Sequence, residues 1–258
     1  MPLIQVQGLR KVYKIGNEKV IALNHIDLVI EKGEICCILG TSGSGKSTFL
    51  NMLAGLEKPT KGRILIGNVD IAQLSEKQLA GFRQENTGFV FQSYNLLPAL
   101  TALENVSMPL MFKGLPKIKR NKAAEKMLKA VGLETRLQHR PNQMSGGQQQ
   151  RVGIARAFVA RPKIVFADEP TGNLDTRTTT EVMELMVDMC RKYEQTLILV
   201  THDRDIARYA DRIVHLIDGD INSDTRNASP AVRKEPADQQ NPEMPPSDEG
   251  EKIKENIV

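Results

Sequence analysis

The sequence predicts an α/β fold: a mixed sheet core with an antiparallel β part at its start and a helical subdomain inserted in it. Three observations carry that expectation. Four short runs, Ile35 to Leu39, Phe89 to Phe91, Ile164 to Ala167 and Leu197 to Val200, are apolar throughout, as parallel strands covered on both faces must be. Stretches of helical character separate them. The first thirty residues alternate instead: Ile4 and Val6, then Ile26, Leu28 and Ile30, fall between polar neighbours, which is the pattern of half-exposed antiparallel strands.

After the alternating opening, the run Ile35 to Leu39 leads into Gly40-Thr41-Ser42-Gly43-Ser44-Gly45-Lys46-Ser47, then Thr48 and a helical stretch carrying Phe49, Leu50 and Leu53. Strand, glycine-rich loop and helix in that order form a phosphate-binding loop. Glycines let successive backbone N–H groups turn inward around phosphate oxygens, the helix N-terminus adds partial positive charge, and Lys46 reaches the terminal phosphates. Ser47 offers its hydroxyl to Mg²⁺. The expected ligand is a nucleoside triphosphate with Mg²⁺.

Apolar strands stop between residues 93 and 161, and helical segments take their place. One of them, Lys119 to Val131, sets Met127, Leu128 and Val131 on one side. Its basic run, Lys117, Lys119, Arg120 and Lys122, reads as a solvated helix face. The insertion ends in a helix that Ser145 starts as N-cap, that carries Val152, Ala155, Phe158 and Val159 on one face, and that Pro162 stops.

The strand from Ile164 then ends in Asp168-Glu169. Asp168 is placed to hold Mg²⁺ through water, because that ion keeps much of its hydration shell and takes few carboxylates. Glu169, pointing differently, is placed to polarise an attacking water. Beyond Asp218-Gly219-Asp220 the apolar residues thin out, and Pro230, Pro236, Pro242, Pro245 and Pro246 fall among Asp, Glu, Gln and Ser. A folded domain over residues 1–222, with the helical subdomain at about 93–161, and a disordered polar tail over 223–258 are therefore expected.

Composition narrows the partners. The net charge of +4 comes from scattered basic residues, and aromatics are only 4%, so nucleic acid is not the expected partner. Cys36, Cys37 and Cys190 form no CxxC pair, and neighbours in a strand point to opposite faces, so reduced buried thiols are expected. Met1 to Gln5 lacks a basic start followed by an apolar core, which predicts no secretory leader. The apolar runs are far shorter than the roughly 20 residues that span a bilayer.

Met144-Ser145-Gly146-Gly147-Gln148 resembles the signature motif of ABC ATPases, usually Leu-Ser-Gly-Gly-Gln, with methionine in place of leucine. The substitution exchanges apolar side chains of similar volume. The family's other motifs follow in order from Leu3 to about Ile221. Tyr13 resembles the aromatic residue that stacks on adenine. Gln92 resembles the glutamine that links the γ-phosphate site, and its metal, to the helical subdomain. Asp175 resembles the residue of the loop crossing between two subunits, and His202 the histidine that contacts the γ-phosphate. The resemblance implies a phosphate-loop NTPase of the ABC type using ATP and Mg²⁺. Its catalytic set is Glu169, His202, Lys46, Gln92 and Asp175. Its ATP contacts are Tyr13, Gly40, Thr41, Ser42, Gly43, Ser44, Gly45, Lys46, Ser47 and Thr48, with Ser145, Gly146, Gly147 and Gln148 acting from a second copy. Ser47, Gln92 and Asp168 are its metal contacts.

The resemblance further implies a head-to-tail dimer closing on two ATP, and a separate transmembrane permease holding it at the cytoplasmic side of the cell membrane. Phe91 to Pro98, Leu100 to Val106 and Pro170 to Asp175 look like the subgroup serving lipoprotein release and macrolide or peptide export with FtsX-like permeases. An FtsX-like envelope complex that signals mechanically is the alternative. Leu96, Leu97 and Leu100 are expected to line the permease groove. Guanine-nucleotide enzymes would need an Asn-Lys-x-Asp motif, absent here. Cassettes of DNA maintenance carry coiled-coil or zinc-bearing insertions, and translation factors of this type carry two cassettes; this chain has neither.

Overall fold

The computed structural model describes residues 2–231. Its strands are β1 (Pro2–Ile15), β2 (Glu18–Glu31), β3 (Ile35–Leu39), β4 (Lys61–Ile66), β5 (Val69–Asp70), β6 (Thr87–Phe91), β7 (Ile164–Asp168), β8 (Thr196–Thr201), β9 (Arg212–Ile217) and β10 (Asp220–Arg226). Its helices are α1 (Lys46–Leu53), α2 (Glu76–Asn86), α3 (Ala102–Phe112), α4 (Lys117–Ala130), α5 (Gly146–Phe158), α6 (Thr176–Lys192) and α7 (Arg204–Ala207).

Two sheets organise these elements. The alternating N-terminal segments pair antiparallel in the order β2-β1-β4-β5. The apolar runs pair in the order β10-β9-β3-β8-β7-β6, parallel from β9 to β6, with β10 antiparallel at the edge. Because strand side chains alternate between faces, the central strands feed two cores. Ile35, Cys37, Leu39, Val165, Ala167, Leu197 and Leu199 pack toward α3, α4, α5 and α6. Cys36, Ile38, Ile164, Phe166, Ile198 and Val200 pack toward α1 and the antiparallel sheet. Burial of each large side chain contributes about 1.5–3 kcal/mol relative to exposure. The thiols of Cys36, Cys37 and Cys190 are free and buried. Burial pushes Cys37 and Cys190 up to about 12.

Helices α3, α4 and α5 occupy the inserted region. Three helix starts carry a reciprocal capping box, Ser75 with Gln78, Thr101 with Glu104, and Ser145 with Gln148. Asn105, fully buried on α3, fixes the approach to that helix: its amide donates to the carbonyls of Leu97, Leu100 and Thr101 and its oxygen accepts from Leu97 N–H.

The boundary expected at residue 223 is corrected. Ser223–Arg226 continue β10, paired with β9, and Arg212 forks onto both carboxylate oxygens of Asp224. Asn227 and Ala231 then bond back to the 208–211 turn. An edge strand with a mostly exposed face needs little apolar patterning; its backbone ladder and one charged fork hold it. The rest of the expected tail, residues 232–258, lies outside the described residues.

Candidate functional site

Every parallel strand ends on the same side of the sheet, and the loops leaving those ends build the site. The loop after β3 curls back on itself: Ser44 N–H donates to Thr41 C=O at 3.3 Å and Lys46 Nζ to the same carbonyl at 2.8 Å. Gly45 enters α1 at φ 98°, where an L side chain is strained, and a Cβ there would lie 2.5 Å from the Ala22 carbonyl oxygen. Glycine is thus required at the turn. No side chain caps α1, so its first N–H groups face the loop's hollow without a built-in anion.

That hollow belongs to a cleft of about 830 Å³, within the roughly 300–1,000 Å³ of small-ligand sites. Gly40, Thr41, Ser42, Gly43, Gly45, Lys46, Ser47 and Thr48 line it, together with Gln92, Glu169 and His202. Residues far apart in sequence therefore converge. Ser44 is buried just behind the wall, its hydroxyl without a partner among the described residues.

Glu169 follows β7 with a left-handed backbone at φ 45°, a costly conformation for a non-glycine residue. Several bonds hold it there. Its N–H donates to Val200 C=O at 2.9 Å, Thr201 Oγ1 donates to its Oε2 at 3.0 Å, and His202 Nδ1 lies 2.8 Å from its Oε1. A carboxylate only accepts, so Nδ1 carries the hydrogen of this bond, and His202 itself lines the cleft. Asp168 is half-buried; burial raises its carboxyl above the ordinary value, the Glu169 charge adds to the rise, and Lys46 opposes it. A carboxylate so crowded is relieved by a cation. Of the three residues expected to contact Mg²⁺, Ser47 and Gln92 line the cleft and Asp168 does not; all three carry oxygen donors of the kind that ion takes.

Two anchors position Gln92. Asn173 Nδ2 donates to its carbonyl at 3.0 Å, and Gly172 packs so closely that a Cβ there would lie 2.7 Å from Gln92 Nε2. Behind them, fully buried Gln150 of α5 donates its amide to the carbonyls of Phe91 and Pro170, tying the segment before Gln92 to the loop after Glu169.

Ser145, Gly146, Gly147 and Gln148 do not line this cleft. They start α5 beside the loop carrying Asp175: a Cβ on Gly147 would lie 2.5 Å from Thr178 Cγ2, and on Gly146 2.8 Å from the Tyr94 hydroxyl. Asp175 caps α6, accepting from Thr178 N–H at 3.0 Å and Thr178 Oγ1 at 2.7 Å, and these bonds lower its carboxyl. Tyr13 also lies outside the cleft lining. It pairs with Val20 across the β1–β2 ladder, and its hydroxyl donates to Glu57 Oε2 at 2.7 Å; burial and then Glu57 raise its phenol.

Sequence reasoning missed Val20, Ile21, Ala22, Arg204, His215 and Ile217, which line the same cleft. The available signal is apolar side chains left in solvent: Val20 is 44%, Ile21 47% and Ile217 48% exposed. It missed Thr201 and Gln150 as well. Leu96, Leu97 and Leu100, expected to line the permease groove, line neither the nucleotide cleft nor the groove of about 530 Å³ beside Phe89 and Phe112, and Leu97 is 47% exposed. Leu96 packs on the core, and the neighbouring groove of about 530 Å³ takes only Asn95 from that segment, the rest coming from Arg83, Gln84, Phe89, Phe112, Arg156 and others.

Residues 23–172 match the family described as "ABC transporter". The chain is 45% identical over 235 residues to the macrolide export ATP-binding/permease protein MacB of Vibrio parahaemolyticus, covering 91% of this chain and 36% of that one. It thus spans about a third of the length of such exporters. It is 47% identical over 219 residues to the lipoprotein-releasing system ATP-binding protein LolD of Legionella pneumophila, covering 85% of this chain and 96% of that one. The dimeric structure of the ATP-binding cassette MJ0796 in a post-hydrolysis state, bound to ADP and Pi, superposes with a TM-score of 0.81 at 42% identity, covering 88% of this chain and 99% of that one. MJ0796 itself, from Methanocaldococcus jannaschii, is 45% identical over 223 residues, covering 85% of this chain and 95% of its own length. With its phosphate loop, strand-end carboxylates and capped serine-glycine-glycine-glutamine helix in one arrangement, this chain belongs to the ABC transporter family, as an ATP-binding cassette.

Proposed function

We propose that this chain hydrolyses ATP as the nucleotide-binding subunit of an exporter or lipoprotein-release system, working on a separate transmembrane permease. The observation that carries the reading is the meeting of Gln92, Glu169 and His202 with the phosphate loop in one cleft, while Ser145–Gln148 stand outside it. One copy holds two half-sites. A second copy docked head-to-tail brings the Ser145 helix start to the phosphates, and the dimeric cassette of MJ0796 supports that assembly.

In this reading the loop N–H groups and Lys46 hold the β- and γ-phosphates. Val20, Ile21 and Ile217 of the cleft lining take the base, with Tyr13, paired to Val20 across the β1–β2 ladder, stacking on it from beyond that lining. Ser47, Gln92 and Asp168 would hold Mg²⁺, which would supply charge neutralisation on the transferring group. Glu169, oriented by Thr201 and strained into place, polarises the attacking water; His202 bonds the γ-phosphate; Asp175 lies at the subunit crossing. The groove beside Phe89 and Phe112 adjoins the strand that carries Gln92, so a short permease helix seated there would feel closure of the dimer. No helix of the described residues is long and apolar enough to cross a membrane.

Glu169→Gln is the test. The variant is expected to bind ATP with Mg²⁺ at near wild-type affinity, to hydrolyse it at least about 10²-fold more slowly, and to elute as a dimer only with ATP. Hydrolysis close to the wild-type rate removes Glu169 from its role.

A further inference from the structure

We propose that the exposed face of α4, with the α3–α4 corner beside it, binds the anionic phosphate surface of a lipid bilayer. Lys119, Lys122, Lys126 and Lys129 are spaced three, four and three residues apart, which sets them in one ridge along the helix. All four are exposed, and among the described residues none forms an ion pair. Glu125 is the single acidic residue of α4 and pairs with none of them. Like charges at this spacing destabilise a helix, and Lys119 in the first turn also opposes the helix dipole, with no acidic residue there to offset it. Water and counterions solvate such a ridge in the free chain, and its unpaired charge complements negative charge outside the chain.

Apolar side chains complete the surface. Ile118 is 85% exposed at the start of α4, and Met111 and Phe112, at the end of α3, are 44% and 64% exposed. A short turn through Gly114 at φ 77° joins the two helices, so the three side chains share one corner. Ammonium groups beside protruding apolar side chains suit a membrane interface, where the cations meet headgroup phosphates and the apolar groups enter the headgroup–acyl boundary. A protein partner fits less well, because protein interfaces favour Arg and are depleted in Lys, and this ridge is all lysine. Phe112 also lines the groove assigned above to the permease, so a permease seated there turns the corner toward the bilayer. That orientation rests on the permease reading, whereas binding of lipid by the chain alone does not.

Co-sedimentation of the full chain with vesicles tests it. Binding to vesicles of mixed phosphatidylglycerol and phosphatidylcholine is expected, weakening as salt rises, with little binding to phosphatidylcholine alone. Replacing Lys119, Lys122, Lys126 and Lys129 together by Gln is expected to weaken it roughly tenfold or more, and replacing them by Arg to retain it. Replacing Lys14, Lys19, Lys61 and Lys77 by Gln makes the same change of net charge elsewhere and is expected to leave binding within about twofold. Ile118→Ser is expected to weaken binding without altering its salt dependence. Basal ATPase unchanged in every variant shows that each is folded. Equal losses in the two quadruple Gln variants would mean that binding follows net charge alone, and the proposal falls. It falls equally if anionic vesicles are not bound, or if the ridge variant keeps its vesicle binding.

Discussion

Asp168 and Glu169 are neighbours in sequence with opposite constraints. Glu169 is held by two donors, whereas Asp168 is half-buried beside the Glu169 charge and has its carboxyl raised by burial first and by that charge second. A raised folded-state pKa means that the group favours folding fully only below its unfolded value, near 3.9, and that this contribution is lost as pH rises through the folded value. At neutral pH the ionised Asp168 therefore costs stability until a cation arrives. Asp168→Asn is expected to melt at or above wild type at pH 7 without Mg²⁺, to lose that advantage in acid, and to lose the added stabilisation that Mg²⁺ gives with ATP. Thermal melts across pH, with and without Mg²⁺, decide it; a clearly lower apo melting temperature at pH 7 would contradict the charge argument. Both carboxylates were legible in the sequence because an apolar strand ends on them. Thr201 was not, since a threonine closing an apolar run has no pattern, and the left-handed backbone of Glu169 leaves no trace in residue type.

At the level of elements, α5 does more than present its capped start. Its Gln150 bonds two carbonyls with a single amide, and only the orientation with nitrogen toward both oxygens avoids lone-pair repulsion. Gln150→Glu replaces that donor with oxygen. An ionised carboxylate would oppose both carbonyls, while the protonated acid restores one bond. The variant is expected to keep its ATP affinity, because Gln150 does not line the cleft, and to lose roughly tenfold in kcat at pH 8, in line with about 1–3 kcal/mol for an unmet buried group. Part of the loss should return toward pH 6. A pH–rate profile parallel to wild type would leave Gln150 a packing residue only. The parallel strands were readable because burial on both faces writes a continuous apolar run. β9 and β10 were not: Arg212 and His215 interrupt the first, and the second is an edge held by ladder bonds and the Arg212–Asp224 fork.

For the whole molecule, the two half-sites set the expectation. Lys46→Ala and Ser145→Arg should each abolish hydrolysis, since every symmetric dimer of either variant has both sites damaged. Mixed together, they form pairs in which one site collects both lesions and the other has none. Activity should therefore appear on mixing, up to about a quarter of wild type if chains pair at random and sites act independently. Mixed samples as inactive as their components would exclude the head-to-tail arrangement. The signature helix was plain in the sequence, and the family resemblance already implied that it serves the site of a second copy; the residue pattern alone could not place it, because sequence order says nothing about which surface a helix start faces.

The order of strands in the parallel sheet has one more consequence, for synthesis. The cleft draws on the loop after β3, on residues after β6, β7 and β8, and finally on His215 and Ile217 of β9. No contiguous fragment shorter than residues 20–217 contains the whole site, and the central strand β3 waits for β8 and β9, made more than 150 residues later, before its neighbours exist. A ribosome must release nearly the entire domain before nucleotide can be gripped, so an interrupted translation product has no means to spend ATP.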